Sequence, residues 1–409
     1  MREYRGAAMT ASPSEQRSTV ARRAAHAASG RSVAAAIDRF GGELFTHLAA
    51  AIGGNIVLSP YSIAVALAMT RAGAATETRE QLDRVLHLEG LDTDEAFNAL
   101  EQALATRTID ISEHDGETLS VMLATANGLW PQAGYPFAAP FLETLASHYG
   151  AGLHPVDFER DTERSRCAIN EWVSDRTAEK ISELIPIGVL NSLTRIVLTN
   201  AMYLKASWAE PFDASATRAG RFVRLDGSGV ETSFMHKSST FAGAQGVGWQ
   251  VVEVPYVGGK LAMDVIVPDT GRFEAVESTL RNGTAPFVAH LERRATQLAL
   301  PTLRCRTHAN LVDTLTALGL TDLFDPDRAD LSAMTATERL YVSDVLHETL
   351  LEVDEAGTEA AAATAIVLAG RSAPIEPVRL TVDRPFILAL RDLETNSLLF
   401  LGRVLDPTA

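Results

Sequence analysis

The chain has 409 residues, 46% of them hydrophobic and 22% charged, with a formal net charge of -16. That much apolar surface closes a large core, which excludes a disordered chain. An acidic body also argues against nucleic acid or an anionic membrane as a partner.

The first 31 residues oppose the overall charge, with six arginines and two glutamates among many alanines and serines. They read as a disordered basic tail, residues 1–31, ahead of a single domain, residues 32–409. The tail lacks the apolar run of a secretory leader, so the default compartment is cytoplasmic, with an extracellular one left open.

From Ala35 the pattern is helical. "AIDRFGGELFTHLAAAI", "PYSIAVALAM", "TETREQLDRVLHL", "TDEAFNALEQALATR" and "APFLETLASHY" repeat apolar residues at spacings of three and four. Residues 48–69 carry no charge, yet Gly53-Gly54-Asn55 and Ser59-Pro60 break the stretch, which predicts two buried elements and no membrane span. "TLSVMLATANGLWP" reads as a strand, and "ERSRCAINEWVSDRTAEKI" returns to helix. After Ile196 the runs turn β-rich: "IVLTNAMYL", "GWQVVEVPYV", "KLAMDVIVP" and "QLALPTLRC", bounded by Gly, Pro and Asp. A helix is expected at "HANLVDTLTALGL", then two final strands at "PFILALRD" and "SLLFLGRVLDP". Helices early and strands late predict one large α+β domain.

Cys167 and Cys305 lack metal-ligand spacing and are too few for a disulfide framework, so both are expected to be reduced. No G-x-S-x-G, H-E-x-x-H or P-loop occurs, so the sequence predicts no catalytic group, no metal and no cofactor.

One stretch resists this reading. "DEAGTEAAAATAIVLAGRSAP", residues 354–374, should be helical by the propensity of Ala360 to Ala363. Gly357 before that run, and Thr364, Ile366 and Val367 within and after it, favour extended backbone. As a strand, one face would carry Thr358, Ala360, Ala362, Thr364, Ile366 and Leu368. The other would carry Glu359, Ala361, Ala363, Ala365, Val367 and Ala369. The first face begins small and ends bulky, and the one charge lies on the second.

Five motifs, in order, resemble the serpin family over residues 35–407. They are "NIVLSPYSIAVALAMTRAGAATETREQL", "INEWVSDRTAEKI", "LTNAMYLKASWAEPF", "VVEVPYVGGKLAMDVIVP" and "DRPFILALRDLETNSLLFLGRVLDP". The resemblance implies a serpin fold of about three β-sheets and eight or nine helices, with an exposed reactive-centre loop; the hinge and loop would be residues 354–377. It places Ser59, Pro60, Ser62, Asn200 and His347 at the family's shutter, beneath the point where the central strands part. Trp208 falls in its breach, where loop insertion begins. The hinge would comprise Glu355, Gly357, Thr358, Glu359, Ala360, Ala361, Ala362, Ala363 and Thr364.

Counting seventeen positions from Glu355, as the family does, lands on Arg371, with Ser372 after the bond to be cut. "AGRS" is similar to the reactive centre of antithrombin. An arginine there implies a trypsin-like serine protease as partner, held as a covalent complex by a monomeric inhibitor. Two departures stand out: Thr302 replaces a frequent lysine that faces the hinge glutamate, and Ala356 replaces a frequent glutamate. The helix that carries heparin-binding basic residues in antithrombin is acidic here, so heparin is not expected to bind. The alternative function is a non-inhibitory carrier, chaperone or protease substrate, whose hinge tends to hold bulky, charged or proline residues; this hinge lacks that pattern.

Overall fold

In the computed structural model, residues 15–25, 29–112, 118–337, 339–358 and 377–409 are described. The amino-terminal half builds helices around one strand: α1 (Ser29–Ala51), β1 (Ile56–Leu58), α2 (Pro60–Ala72), α3 (Thr76–Val85) and α4 (Thr93–Ala105). The uncharged stretch divides as its sequence predicts. Ser59 accepts the Ser62 backbone N–H and Pro60 stands at the first helical position, so α2 starts where proline needs no partner. Among the described residues, no helix is long and apolar enough to cross a membrane.

Next come β2 (Ile109–Ser112), β3 (Thr118–Pro131), α5 (Ala139–Thr144) and α6 (Thr162–Arg176). Asp161 caps α6 by accepting the Arg164 N–H. The helix stops at Thr177, short of the expected end, because Ala178 and Glu179 adopt positive φ of 51° and 61°.

The remainder is mostly β. It runs β4 (Ile196–Ser207), β5 (Arg218–Val223), β6 (Gly229–Gly246), β7 (Trp249–Pro255), β8 (Leu261–Pro268), α7 (Phe273–Thr279), α8 (Ala285–Val288), β9 (Glu292–Pro301) and β10 (Leu303–Asn310). It ends with α9 (Val312–Ala317), β11 (Asp344–Val353), β12 (Gly357–Thr358), β13 (Val378–Thr381), β14 (Phe386–Asp392) and β15 (Leu398–Val404). "QLALPTLRC" is therefore two strands in two sheets, divided after Pro301, whose nitrogen has no hydrogen to donate. The helix expected at 308–320 shrinks to α9 because β10 continues through Asn310, paired with β11.

Hydrogen bonding among the described residues joins these strands into two sheets. The larger runs β1-β15-β14-β8-β7-β6-β9-β13, with β5 beside β6. The long β6 bonds β9 and β5 as well as β7, so two of the expected sheets merge through it. The smaller sheet runs β10-β11-β12-β4-β3-β2. Its outer face is covered by α6, where Trp130, Phe158, Ile169, Val173, Val197 and Leu346 form a separate apolar cluster. Full burial of side chains such as Ile169 and Val173 contributes about 1.5–3 kcal/mol each.

Part of the expected basic tail, residues 15–25, is placed against the domain. Residues 15–25 lie against α4 and residues 147–153, held by polar contacts. Composition misses this because the partners are backbone groups and one acidic helix far away in sequence. Both cysteines are free; Cys167 is exposed, and burial pushes the Cys305 thiol up to about 12.

Candidate functional site

The smaller sheet is open at one end. β11 and β4 pair in parallel from Asp344 and Val197 up to Leu350 and Tyr203. Above that point they separate and β12 fills the gap, antiparallel to both, with Thr358 opposite Val353 on one side and Ala206 on the other. Two residues of the expected hinge, Gly357 and Thr358, thus already form a strand between the parted pair.

The chain reverses into this gap by a tight turn. Asp354 Oδ1 accepts the backbone N–H groups of Ala356 and Gly357 at 2.9 and 3.1 Å. Gly357 is required there, since a Cβ would strike the carbonyl oxygen of Ala206. The Glu355 carboxylate accepts the Thr217 hydroxyl at 2.6 Å. That bond supplies the partner that Thr302, standing in for a lysine, does not.

Trp208 is fully buried beside the turn. Its indole N–H donates to the Asp354 carbonyl at 3.0 Å, and its backbone N–H to the Ala356 carbonyl at 3.0 Å. The ring stacks on Tyr256, with centroids 4.6 Å apart and planes 10° from parallel. Tyr256 in turn shares a 2.7 Å hydrogen bond with the Thr358 hydroxyl, so both buried oxygens are satisfied. Burial raises the Tyr256 phenol well above its ordinary value, against which the Thr358 bond works. Sequence reasoning missed Tyr256, whose only signal was an aromatic ending an apolar strand.

Below the parted strands, Ser59, Ser62, Asn200 and His347 come together. The Ser59 backbone N–H donates to His347 Nε2 at 3.2 Å, so Nε2 is the lone-pair nitrogen and Nδ1 carries the proton. Nδ1–H points at the Asn200 side-chain oxygen and at its carbonyl, 3.2 Å away. The Ser59 hydroxyl donates to the Met202 sulfur at 2.9 Å, and the Ser62 hydroxyl to Asn127 Oδ1 at 2.6 Å. Pro60 takes no part in these bonds and acts by starting α2. Asn127, Asn200 and His347 stand directly opposite one another across β3, β4 and β11. Asn127 was also missed, although a polar residue inside "ATANGLW" could have flagged it. The Asn200 side-chain nitrogen is buried and has no partner among the described residues.

Burial lowers His347 to about 3, so the ring is neutral between its two partners. A free imidazole takes up a proton near 6.5, so as pH falls the unfolded chain binds it first. Stability from this group is complete above about 6.5 and is lost as pH falls from there toward 3. His347→Gln should flatten that part of the curve; unfolding rates in urea from pH 7 to pH 4 measure it, and parallel curves would refute it.

The remaining expected hinge residues, Glu359, Ala360, Ala361, Ala362, Ala363 and Thr364, lie outside the described residues, as do Arg371 and Ser372. Among the described residues, no cluster of His, Cys, Asp or Glu could hold a metal ion.

Comparison with known proteins agrees with this architecture. The family profile described as Serpin (serine protease inhibitor) matches residues 35–407. Human antithrombin-III is 34% identical over 90% of this chain and 81% of its own length. The bovine leukocyte elastase inhibitor is 34% identical over 92% of this chain and 99% of its own. Among solved structures, a highly specific serpin of the insect Tenebrio molitor superposes with a TM-score of 0.79 at 27% identity, covering 91% and 98% of the two chains.

Proposed function

The chain belongs to the serpin family, and on that premise we propose that it is a suicide-substrate inhibitor of trypsin-like serine proteases. One observation carries the reading: the Gly357–Thr358 strand seated between β11 and β4, at the top of a seam that a longer strand can enter.

The chemistry begins at Arg371, where a charged side chain suits a specificity pocket lined by a carboxylate. The protease serine attacks the Arg371 carbonyl carbon, the bond to Ser372 breaks, and the Ser372 amine leaves protonated. Arg371 is now an ester of the protease, and the segment behind it has lost its far anchor. That segment enters the seam from Thr358, drawing the protease along before water can cleave the ester. The inhibitor contributes no catalytic group; it contributes a strand.

The register of β12 supports one alignment for that strand. Continued antiparallel from Thr358, it brings Thr364 between His347 and Asn200. On that strand Thr364 would share the inward face with Thr358, and its hydroxyl would reach the Asn200 side-chain nitrogen, which has no partner among the described residues. The His347–Asn200 bond, which ties β11 to β4 across the seam, has to open for the strand to pass.

Incubation with trypsin followed by a denaturing gel tests this reading. A covalent high-mass band is expected. A cleaved chain without that band would identify a substrate or carrier, and turnover of a reporter ester an enzyme. Arg371→Ala should slow trypsin inhibition by about a thousandfold or more, because the protease pocket is left with an unpaired charge. Trapping at the original rate would remove Arg371 from its assigned role.

A further inference from the structure

Residues 15–25 are held by a site built for one arginine. Arg22 Nε donates to Asn98 Oδ1 at 3.0 Å, and one terminal nitrogen donates to Glu101 Oε2 at 2.7 Å and to the His148 carbonyl at 3.3 Å. Asn98 is fully buried, and its amide donates back to the Arg23 carbonyl at 3.1 Å, joined by the Gln102 amide at 2.7 Å. The Arg23 N–H donates to the Ser147 carbonyl at 2.8 Å. Gln16 and Leu153 exchange both backbone bonds, at 2.7 and 2.9 Å. The groove floor is glycine: a Cβ at Gly152 would lie 2.6 Å from the Gln16 carbonyl oxygen.

The segment itself stays at the surface, with Val20 42% exposed. Polar bonds hold it, not apolar burial, so it can peel away without opening the core.

What it joins is mechanically significant. On one side is α4, part of the helical layer: Leu100 of α4 packs against Gly30 at the start of α1. On the other is the 147–153 segment, which runs straight into the β3 side of the smaller sheet. The His154 N–H donates to the Leu129 carbonyl and the Val156 N–H to the Pro131 carbonyl, both on β3. A strand entering between β11 and β4 widens the sheet by about 4.8 Å. β3 is paired to β4 along its length, so it moves with β4 against the helical layer.

We propose that residues 15–25 form a detachable strap, seated through Arg22 in a groove that reads an extended arginine-bearing segment, and that the strap slows expansion of the sheet. The brake rests on the insertion reading above; the groove does not.

The test uses the full-length protein with no protease present. Arg22→Ala should speed hydrogen exchange at 15–25 and 147–153, and should hasten loss of the native state on warming by about three- to tenfold. A synthetic peptide of residues 14–26 added to Arg22→Ala should restore both, whereas Arg17→Ala should change neither. Unaltered exchange in Arg22→Ala would overturn the groove. Faster exchange with an unaltered rate of native-state loss would overturn the brake. Because neither readout involves a protease, failure of the inhibitor reading is registered separately, in the trypsin gel.

Discussion

A single cut between residues 365 and 372 should raise the thermal midpoint of the chain by on the order of 15 °C. Before the cut, β11 and β4 satisfy each other through one short parallel ladder, from Asp344 to Leu350. Afterwards a strand continuing from Thr358 can stand between them and make two antiparallel ladders in place of one parallel one. Roughly ten bonds are gained at about 0.5–1.5 kcal/mol each, so the inserted form is favoured by on the order of 10 kcal/mol before apolar burial. That rivals the whole stability of an ordinary domain, about 5–15 kcal/mol, so the uncut form has to be held kinetically. Unfolding of the uncut chain is expected to end in aggregation, and the comparison is best made on unfolding rates at several temperatures. Equal rates before and after a clean cut would sink the insertion mechanism.

The parts of the fold that were legible are those whose residues answer only to local rules. β3 spans the residues that read as a strand, and α2 begins at Pro60, directly after its Ser59 cap. β5 and β6 were not read at all. Their turn is signalled by Asp226-Gly227-Ser228, but β6 alternates exposed and half-buried positions with few large apolar residues, so its pattern is faint. The division after Pro301 and the early end of α6 depend on which sheet or loop a segment meets, and no local pattern carries that. At the site, Ser59, Ser62, Asn200 and His347 were named through the resemblance, and their meeting is a property of the assembled fold. Tyr256 and Asn127 went unnamed because each looks like part of an ordinary strand until its partner from a distant segment is in place. The docking of residues 15–25 was hidden for the same reason: an arginine in an alanine-rich tail does not announce a buried asparagine on a helix some 75 residues away.

Thr358→Arg should turn an inhibitor into a substrate. Thr358 is fully buried, paired on both sides and bonded to Tyr256 within the aromatic stack on Trp208. An arginine there would have to bury a charge in the space of a fully enclosed threonine, at a penalty of several kcal/mol. The strand escapes that penalty only by leaving the gap, so the substitution both empties the entrance to the seam and bars re-entry. Each 1.36 kcal/mol added to the insertion barrier slows insertion about tenfold. Hydrolysis of the acyl-enzyme is untouched, because its water and its catalytic groups belong to the protease. The race therefore tips toward hydrolysis, and the expected result is a chain cut after Arg371, a free protease and no high-mass band. Glu359→Arg supplies the control. A strand continued in the register of β12 would set residue 359 opposite Glu352 on β11 and Lys205 on β4, two partly exposed positions of the outward face. A guanidinium there meets one favourable and one unfavourable neighbour in water, so most inhibition should survive. Equal loss in the two variants would mean that alternation of faces along this strand does not govern the trap.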